Sequence, residues 1–298
     1  MQLFYSDVFV LPLPAHHRFP MRKYRLLRER LLASGAFGED DFAVAEAASD
    51  AAILRAHDAR YLHRVVHGEL EPAELRAIGF PWSERMVERS RRSSGATLAA
   101  AREALVRGWG ANLAGGTHHA FRDRGEGFCV FNDAAIAARA MQAEAGLQRI
   151  AIVDCDVHQG NGTAAIFAED PTVFTFSIHG ARNFPFAKER GDLDIELADG
   201  TGDDEYLWHL ERGLDETLER AQPQLVIYLA GADPYEGDRL GRLKLTKQGL
   251  RRRDEWVLGT LRARGIPVAI AMAGGYAHDI ADSVEIHATT LHVARALE

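Results

Sequence analysis

In the run RIAIVDCDVHQGNG, residues 149–162, Asp154, Asp156 and His158 recur at every second position. Ile150, Ile152 and Val153 make its first half a buried strand. Side chains alternate along a strand, so the three polar residues are expected on one face. Two carboxylates and an imidazole are costly in such a place unless a cation sits among them. As ligands they suit Zn²⁺, and Fe²⁺ accepts the same set. Asp233 ends the apolar run LVIYLAGA and precedes Pro234. With Asp156 and His158 it makes a third protein ligand and leaves a coordination position open, which is the catalytic pattern. A structural zinc site would be closed, typically by thiolates, and nothing here supplies four ligands.

Two further signals carry chemistry. His118 and His119 follow a glycine pair, and imidazoles titrate near neutral pH, so one can take a proton from water and later return one to a leaving amine. Each needs a partner to fix its tautomer; Asp154 is a candidate for one and Asn161 for the other. Tyr276, after Gly274-Gly275, can offer its hydroxyl to an oxyanion while the glycines admit it close to the metal.

The elements that must position these residues alternate. Strands are expected near Leu3–Tyr5, 109–114, 149–155, 172–178, 224–230 and 267–273. Helices are expected over 21–33, 50–67 (with Asp50 as N-cap), 82–108, 133–145, 203–220, 246–264 and 279–297. Ser93-Ser94-Gly95 interrupts the pattern of the third and marks a close helix–sheet contact. Strands separated by helices predict βαβ units: an α/β, mostly parallel sheet with helices on both faces, in a single domain over 1–298. Functional residues collect beyond the carboxyl ends of such strands. Five strand ends here carry glycine beside polar residues: 115–119, 156–160, 177–180, 231–233 and 274–276. His16 and His17 read as a solvated loop pair, and His57, His63 and His67 as surface or packing residues.

Hydrophobic residues make up 47% of the 298 and charged ones 26%, ordinary globular usage. The net charge of −8 argues against a nucleic-acid surface. No apolar run approaches a membrane span, and the N-terminus lacks the basic start of a signal peptide. Cys129 and Cys155 are too few for a disulfide framework, so a cytoplasmic location is expected.

Taken together, GGTHHAFRDRGEGFCVFNDAAIAA, DCDVHQGNG, FSIHG, GADPYEGD and AGGY, in this order over 115–276, resemble the histone deacetylase superfamily. The likeness extends to HRFPMRKYRLLRERL near the N-terminus. HQGN and NFPF look most like the class IV branch and its bacterial relatives. The resemblance implies the arginase/deacetylase fold, a three-layer α/β/α domain with about eight strands. It implies zinc on Asp156, His158 and Asp233; His119 as general base and acid; His118 as electrostatic partner oriented by Asp154; and Tyr276 as carbonyl polariser and oxyanion donor. Gly127, Phe128 and Phe184 would line an acyl-lysine tunnel, with Leu240 at its rim. Asp154, Asp156, His158, Ser177 and Ile178 match an inner potassium site, and Phe167, Asp170 and Val173 an outer one built on main-chain carbonyls.

Two positions depart from the family's pattern. Asn161 stands where well-studied members back the second histidine with Asp, so His119 is expected to titrate lower. GFPWSE (79–84) offers no counterpart to the rim Asp that grips substrate main chain. The implied activity is hydrolysis of an acyl-lysine in a protein or peptide. Small acylated amines such as acetylpolyamines, and lysines with longer acyl chains, are alternative substrates. A silent metal-binding scaffold and an arginase-like two-metal hydrolase are the competing classes. Retention of every ligand, the histidine pair and Tyr276 speaks against the first, and the lack of ligands for a second metal against the other.

Overall fold

Eight short extended segments pair edge to edge in a computed structural model of the chain, which describes residues 1–14 and 17–298. The strands are β1 (Gln2–Tyr5), β2 (Phe42–Val44), β3 (Trp109–Asn112), β4 (Ile150–Asp154), β5 (Val173–Gly180), β6 (Leu193–Leu197), β7 (Leu225–Leu229) and β8 (Val268–Ala271). Parallel neighbours cannot be joined by tight turns, so the chain between them is largely helical. The helices are α1 (Lys23–Ala33), α2 (Asp50–Ile53), α3 (Ala59–His67), α4 (Pro72–Ile78), α5 (Glu84–Arg107), α6 (Asp133–Ala145), α7 (Asn161–Phe167), α8 (Asp203–Ala221), α9 (Lys247–Ala263) and α10 (Ile280–Ala296).

Every strand pair is parallel, in the order β2-β1-β3-β8-β7-β4-β5-β6. Strand alternation splits the core in two. Ile150, Ile152, Ile227 and Ala269 pack on one side with α5 and α6. Ala151, Val153, Tyr228 and Ile270 pack on the other with α8, α9 and α10. The chain leaves β3 for β4, leaving room for two strands between them, and returns through β7 and β8 to fill the gap. The carboxyl ends of β3, β8, β7 and β4 therefore stand side by side, at the kind of topological switch where open α/β sheets bind ligands. No helix among the described residues is long and apolar enough to cross a membrane.

The expected strands and most helices stand within a few residues of their expected bounds, and the fold is the three-layer one expected. β2 and β6 were not legible, because edge strands only partly buried carry no continuous apolar run. The helix expected over 50–67 is instead two, α2 and α3. Ser49, not Asp50, caps the first, its Oγ accepting from Ala52 N at 3.2 Å. Between them Asp58 N donates to Arg122 O at 2.9 Å and His57 Nε2 accepts from Asn132 N at 2.9 Å, tertiary bonds that replace helical ones. α5 runs unbroken through Ser93-Ser94-Gly95. The close contact at Gly95 is with the segment after β2 rather than the sheet: a Cβ there would lie 1.9 Å from Glu46 O.

His17 also departs from expectation. It is half-buried; its Nε2–H donates to Gly79 O at 2.9 Å, and its ring stacks on Phe80 at 5.8 Å. His16 lies outside the described residues.

Candidate active site

β4 ends at Asp154, so Asp156 and His158 sit in the turn beyond it and strand alternation is not what gathers them. Side-chain to backbone bonds do that work. Asp154 Oδ1 accepts from Asp156 N at 3.0 Å, and Asp156 Oδ1 from His158 N at 2.9 Å. Asp156 Oδ2 accepts from Gly274 N at 2.7 Å, and Asp233 Oδ1 from Val157 N at 2.9 Å, stitching the ends of β4, β7 and β8 together. The result brings one ligand atom each of Asp156, His158 and Asp233 within 4.8 Å of one another, all buried. Gly274 has to be glycine, since a Cβ would stand 1.8 Å from Asp233 Oδ2.

Asp233 Oδ2 is fully buried and accepts no hydrogen bond. His158 Nδ1 lies 3.4 Å from it and 2.9 Å from Asp156 Oδ1. An orphaned carboxylate oxygen of this kind carries a full desolvation penalty, and a cation facing the three donors removes it. The residues present thus fit a divalent metal. Burial and the neighbouring Asp156 push Asp233 up to about 7. Burial works against the charge on His158, but Asp156 and Asp233 outweigh it and raise the imidazole to about 10. A ligand that holds a proton must lose it to bind metal, so acid weakens binding.

The loop after β3 is anchored by Asp133 at the start of α6. Its carboxylate accepts from Gly116 N at 2.9 Å and Thr117 N at 2.7 Å. This sets the two following imidazoles 4.1 Å apart by ring centres. His118 Nδ1 bonds Asp154 Oδ2 at 2.6 Å, and His119 Nδ1 bonds Asn161 Oδ1 at 2.7 Å. Both tautomer partners thus stand where the sequence reading put them. Their environments separate the two rings. Burial disfavours charge on His118, yet Asp154 and Asp156 outweigh it and raise it to about 9. Burial, with His118 and His158 adding to it, holds His119 well below the usual imidazole range. The surroundings thus push the two rings in opposite directions, His118 toward its charged form and His119 toward its neutral one.

Tyr276 N donates to Asp238 Oδ2 at 2.6 Å, and Asp238 Oδ1 accepts from Leu240 N at 2.8 Å, so one carboxylate places both the phenol and the rim. Buried Lys23 donates to Ala273 O at 3.1 Å and Gly275 O at 3.3 Å and holds the same loop from below. Burial, then Asp156 and Asp233, push the Tyr276 hydroxyl well above its usual range, so it remains a donor. Above Asp156, His158 and Asp233 opens a cleft of about 380 Å³ lined by His119, Gly127, Phe128, His158, Phe184, Phe186, Leu240 and Tyr276. The tunnel residues named from the sequence are therefore together. A Cβ on Gly127 would lie 2.6 Å from His119 Cδ2.

Ser177 is paired with Asp154 across β4 and β5, with Ile178 next to it, so the residues of the expected inner cation site are neighbours. At the outer one, the Asp170 carboxylate is taken by Arg139 and Thr172, and Phe167 O already accepts from Asp170 N at 2.9 Å. Sequence reasoning missed Lys23, Glu126, Asp133 and Asp238. Asp133 and Asp238 lie inside the quoted runs GFCVFND and GADPYEGD, a few residues from assigned ones, which was the only signal they gave.

The histone deacetylase domain family matches residues 17–291. An uncharacterised protein of Picosynechococcus sp. is 46% identical over 291 residues, covering 98% of this chain and 97% of its own. A histone deacetylase-like amidohydrolase of Pseudomonas aeruginosa is 31% identical, covering 89% of this chain and 74% of its own. A solved structure of an HDAC homolog complexed with SAHA superposes with a TM-score of 0.82 at 23% identity, over 98% of this chain and 83% of that one, a likeness of fold. With that family matched over residues 17–291 of the 298, this chain belongs to the histone deacetylase family and is a hydrolase acting on amides.

Proposed function

We propose that the chain is a zinc-dependent deacylase that removes an acyl group, acetyl in the simplest case, from the side-chain amine of lysine in proteins or peptides. The observation that carries this reading is the orphaned Asp233 oxygen beneath an aromatic-walled cleft floored by His119, His158 and Tyr276. Asp156, His158 and Asp233 would hold the metal, which supplies Lewis acidity toward the acyl carbonyl and water. His119 takes a proton from the attacking water and returns one to the departing amine. The Tyr276 hydroxyl donates to the tetrahedral oxyanion. His118, held by Asp154, keeps its positive charge beside the reacting carbon. A potassium ion beside Asp154, Asp156, His158, Ser177 and Ile178 belongs to the same proposal, as does a second one near Phe167, Asp170 and Val173. So does a cytoplasmic location, which suits two buried, unpaired cysteines.

The mouth of the cleft is basic, with Arg18, Arg182 and Arg242 on its lining and Asp199 shared between the last two. Like charge repels a polyamine, so the mouth favours an acyl-lysine peptide over a small polycationic amide. A panel of acetyl-lysine peptides, lysines with longer acyl chains and acetylpolyamines, assayed with Zn²⁺, tests this. Peptides with acidic flanks should be turned over a few-fold better than basic ones, as exposed ion pairs allow. Turnover of acetylpolyamines alone would overturn the substrate assignment, and no turnover with metal bound would favour the scaffold reading.

The metal assignment has a readout apart from activity. Zn²⁺ at about 100 times its Kd should stabilise the folded chain by about 2.7 kcal/mol, seen as a rise in Tm. The rise should shrink on acidification, because His158 must shed a proton to bind. Asp233→Asn should abolish it, and an unchanged zinc-dependent Tm in that variant would remove Asp233 from the ligand set.

A further inference from the structure

Glu126 has no part in the roles assigned above. It opens the turn 126–129, in which Cys129 N donates to Glu126 O at 2.8 Å. Both central residues have positive φ, 56° at Gly127 and 67° at Phe128, as in a type I′ turn. A side chain in that region costs about 1 kcal/mol or more, and the surroundings must hold it there. Bonds from Gly127 N to Ala77 O at 2.9 Å and from Phe128 N to Ile78 O at 2.8 Å do so. The turn that presents Phe128 to the cleft thereby carries Glu126 behind the histidine pair.

There Glu126 Oε1 accepts from Asn161 Nδ2 at 2.6 Å, while Asn161 Oδ1 faces His119 Nδ1 at 2.7 Å. An amide can present either end, but a carboxylate can only accept. Reversing Asn161 would set two oxygens against each other at the Glu126 end. The carboxylate therefore decides which way the amide points. The amide oxygen in turn can only accept, so His119 carries its proton on Nδ1 and its lone pair on Nε2.

We propose that Glu126 is a positioning residue that, through Asn161, locks His119 in the Nδ1–H tautomer required of a base. The proposal deepens the activity given above and rests on His119 being that base; the tautomer itself does not. Without the carboxylate, Asn161 is free to turn its NH₂ toward Nδ1 and favour the Nε2–H form, in which the working nitrogen is already occupied. In the intact chain the three groups form a chain of hydrogen bonds in which each link polarises the next.

Glu126→Gln, close in shape, and Glu126→Ala test this in the full zinc-loaded chain. Both should lower kcat by about 10- to 100-fold, the usual effect of losing a supporting partner, while KM stays within about twofold. Long-range ¹H–¹⁵N spectra of the ring at neutral pH should show His119 passing from one Nδ1–H form to a mixture. Adding Asn161→Asp to Glu126→Gln places a carboxylate directly on Nδ1 and lets the glutamine amide donate to it. That pair should recover a single tautomer and kcat to within a few-fold of the wild type. A single Nδ1–H tautomer in both Glu126 variants overturns the proposal whatever kcat does, and so does a kcat loss that the paired variant fails to recover. If the wild-type chain hydrolyses no amide on the panel, the failure lies with the proposed activity, and the ring spectra still decide the role of Glu126.

Discussion

Tyr276→Phe should lower kcat by about 10²- to 10³-fold, or about 2.7–4 kcal/mol of transition-state stabilisation, as the loss of one oxyanion donor does. The fold should be untouched. Phenylalanine keeps the ring that packs edge-on against Phe19 at 5.7 Å and His158 at 6.5 Å, and the backbone bond to Asp238 needs no side chain. Only the hydroxyl is lost, and burial beside Asp156 and Asp233 keeps that hydroxyl protonated at any working pH. Zinc content and the zinc-dependent rise in Tm should therefore match the wild type. Turnover that survives the substitution unchanged would take Tyr276 out of the chemistry.

His119→Ala should cost about 10²- to 10⁴-fold, the usual worth of a general acid–base group, again with metal retained. Its pH dependence adds a second check. Burial and the neighbouring His118 and His158 lower the pKa of His119, and a base works only when neutral, that is, above its pKa. The acid limb of kcat/KM in the wild type should therefore fall below the usual imidazole value of about 6.5. A bound cation pushes it in the same direction. In His119→Ala that limb should disappear; its persistence at the same pH would assign the proton transfer to another group.

Much of the site was readable from residue type and local order. Asp156, His158 and Asp233, the histidine pair and Tyr276 follow or precede apolar runs that can only be buried strands, and buried charge without a partner is too costly to be idle. The layers of the fold were readable for the same reason: strand and helix periods alternate along the chain. The edges were not. β2 and β6 lie half in solvent, and the break between α2 and α3 is made by bonds to the distant loop at 122–132, which no local pattern records.

The amino-acid sequence alone determined which polar groups gather at the mouth of the sheet, because their chemistry is a property of residue type and their place at strand ends a property of local periodicity. The tertiary structure decided what holds those groups in their working state. Asp133 and Asp238 aim two loops through backbone N–H groups, Lys23 supports the second of them from beneath, and Glu126 settles which end of an amide faces a histidine. Each acts by a hydrogen bond about 3 Å long between residues 17 to 250 positions apart, a reach at which spacing along the chain carries no information.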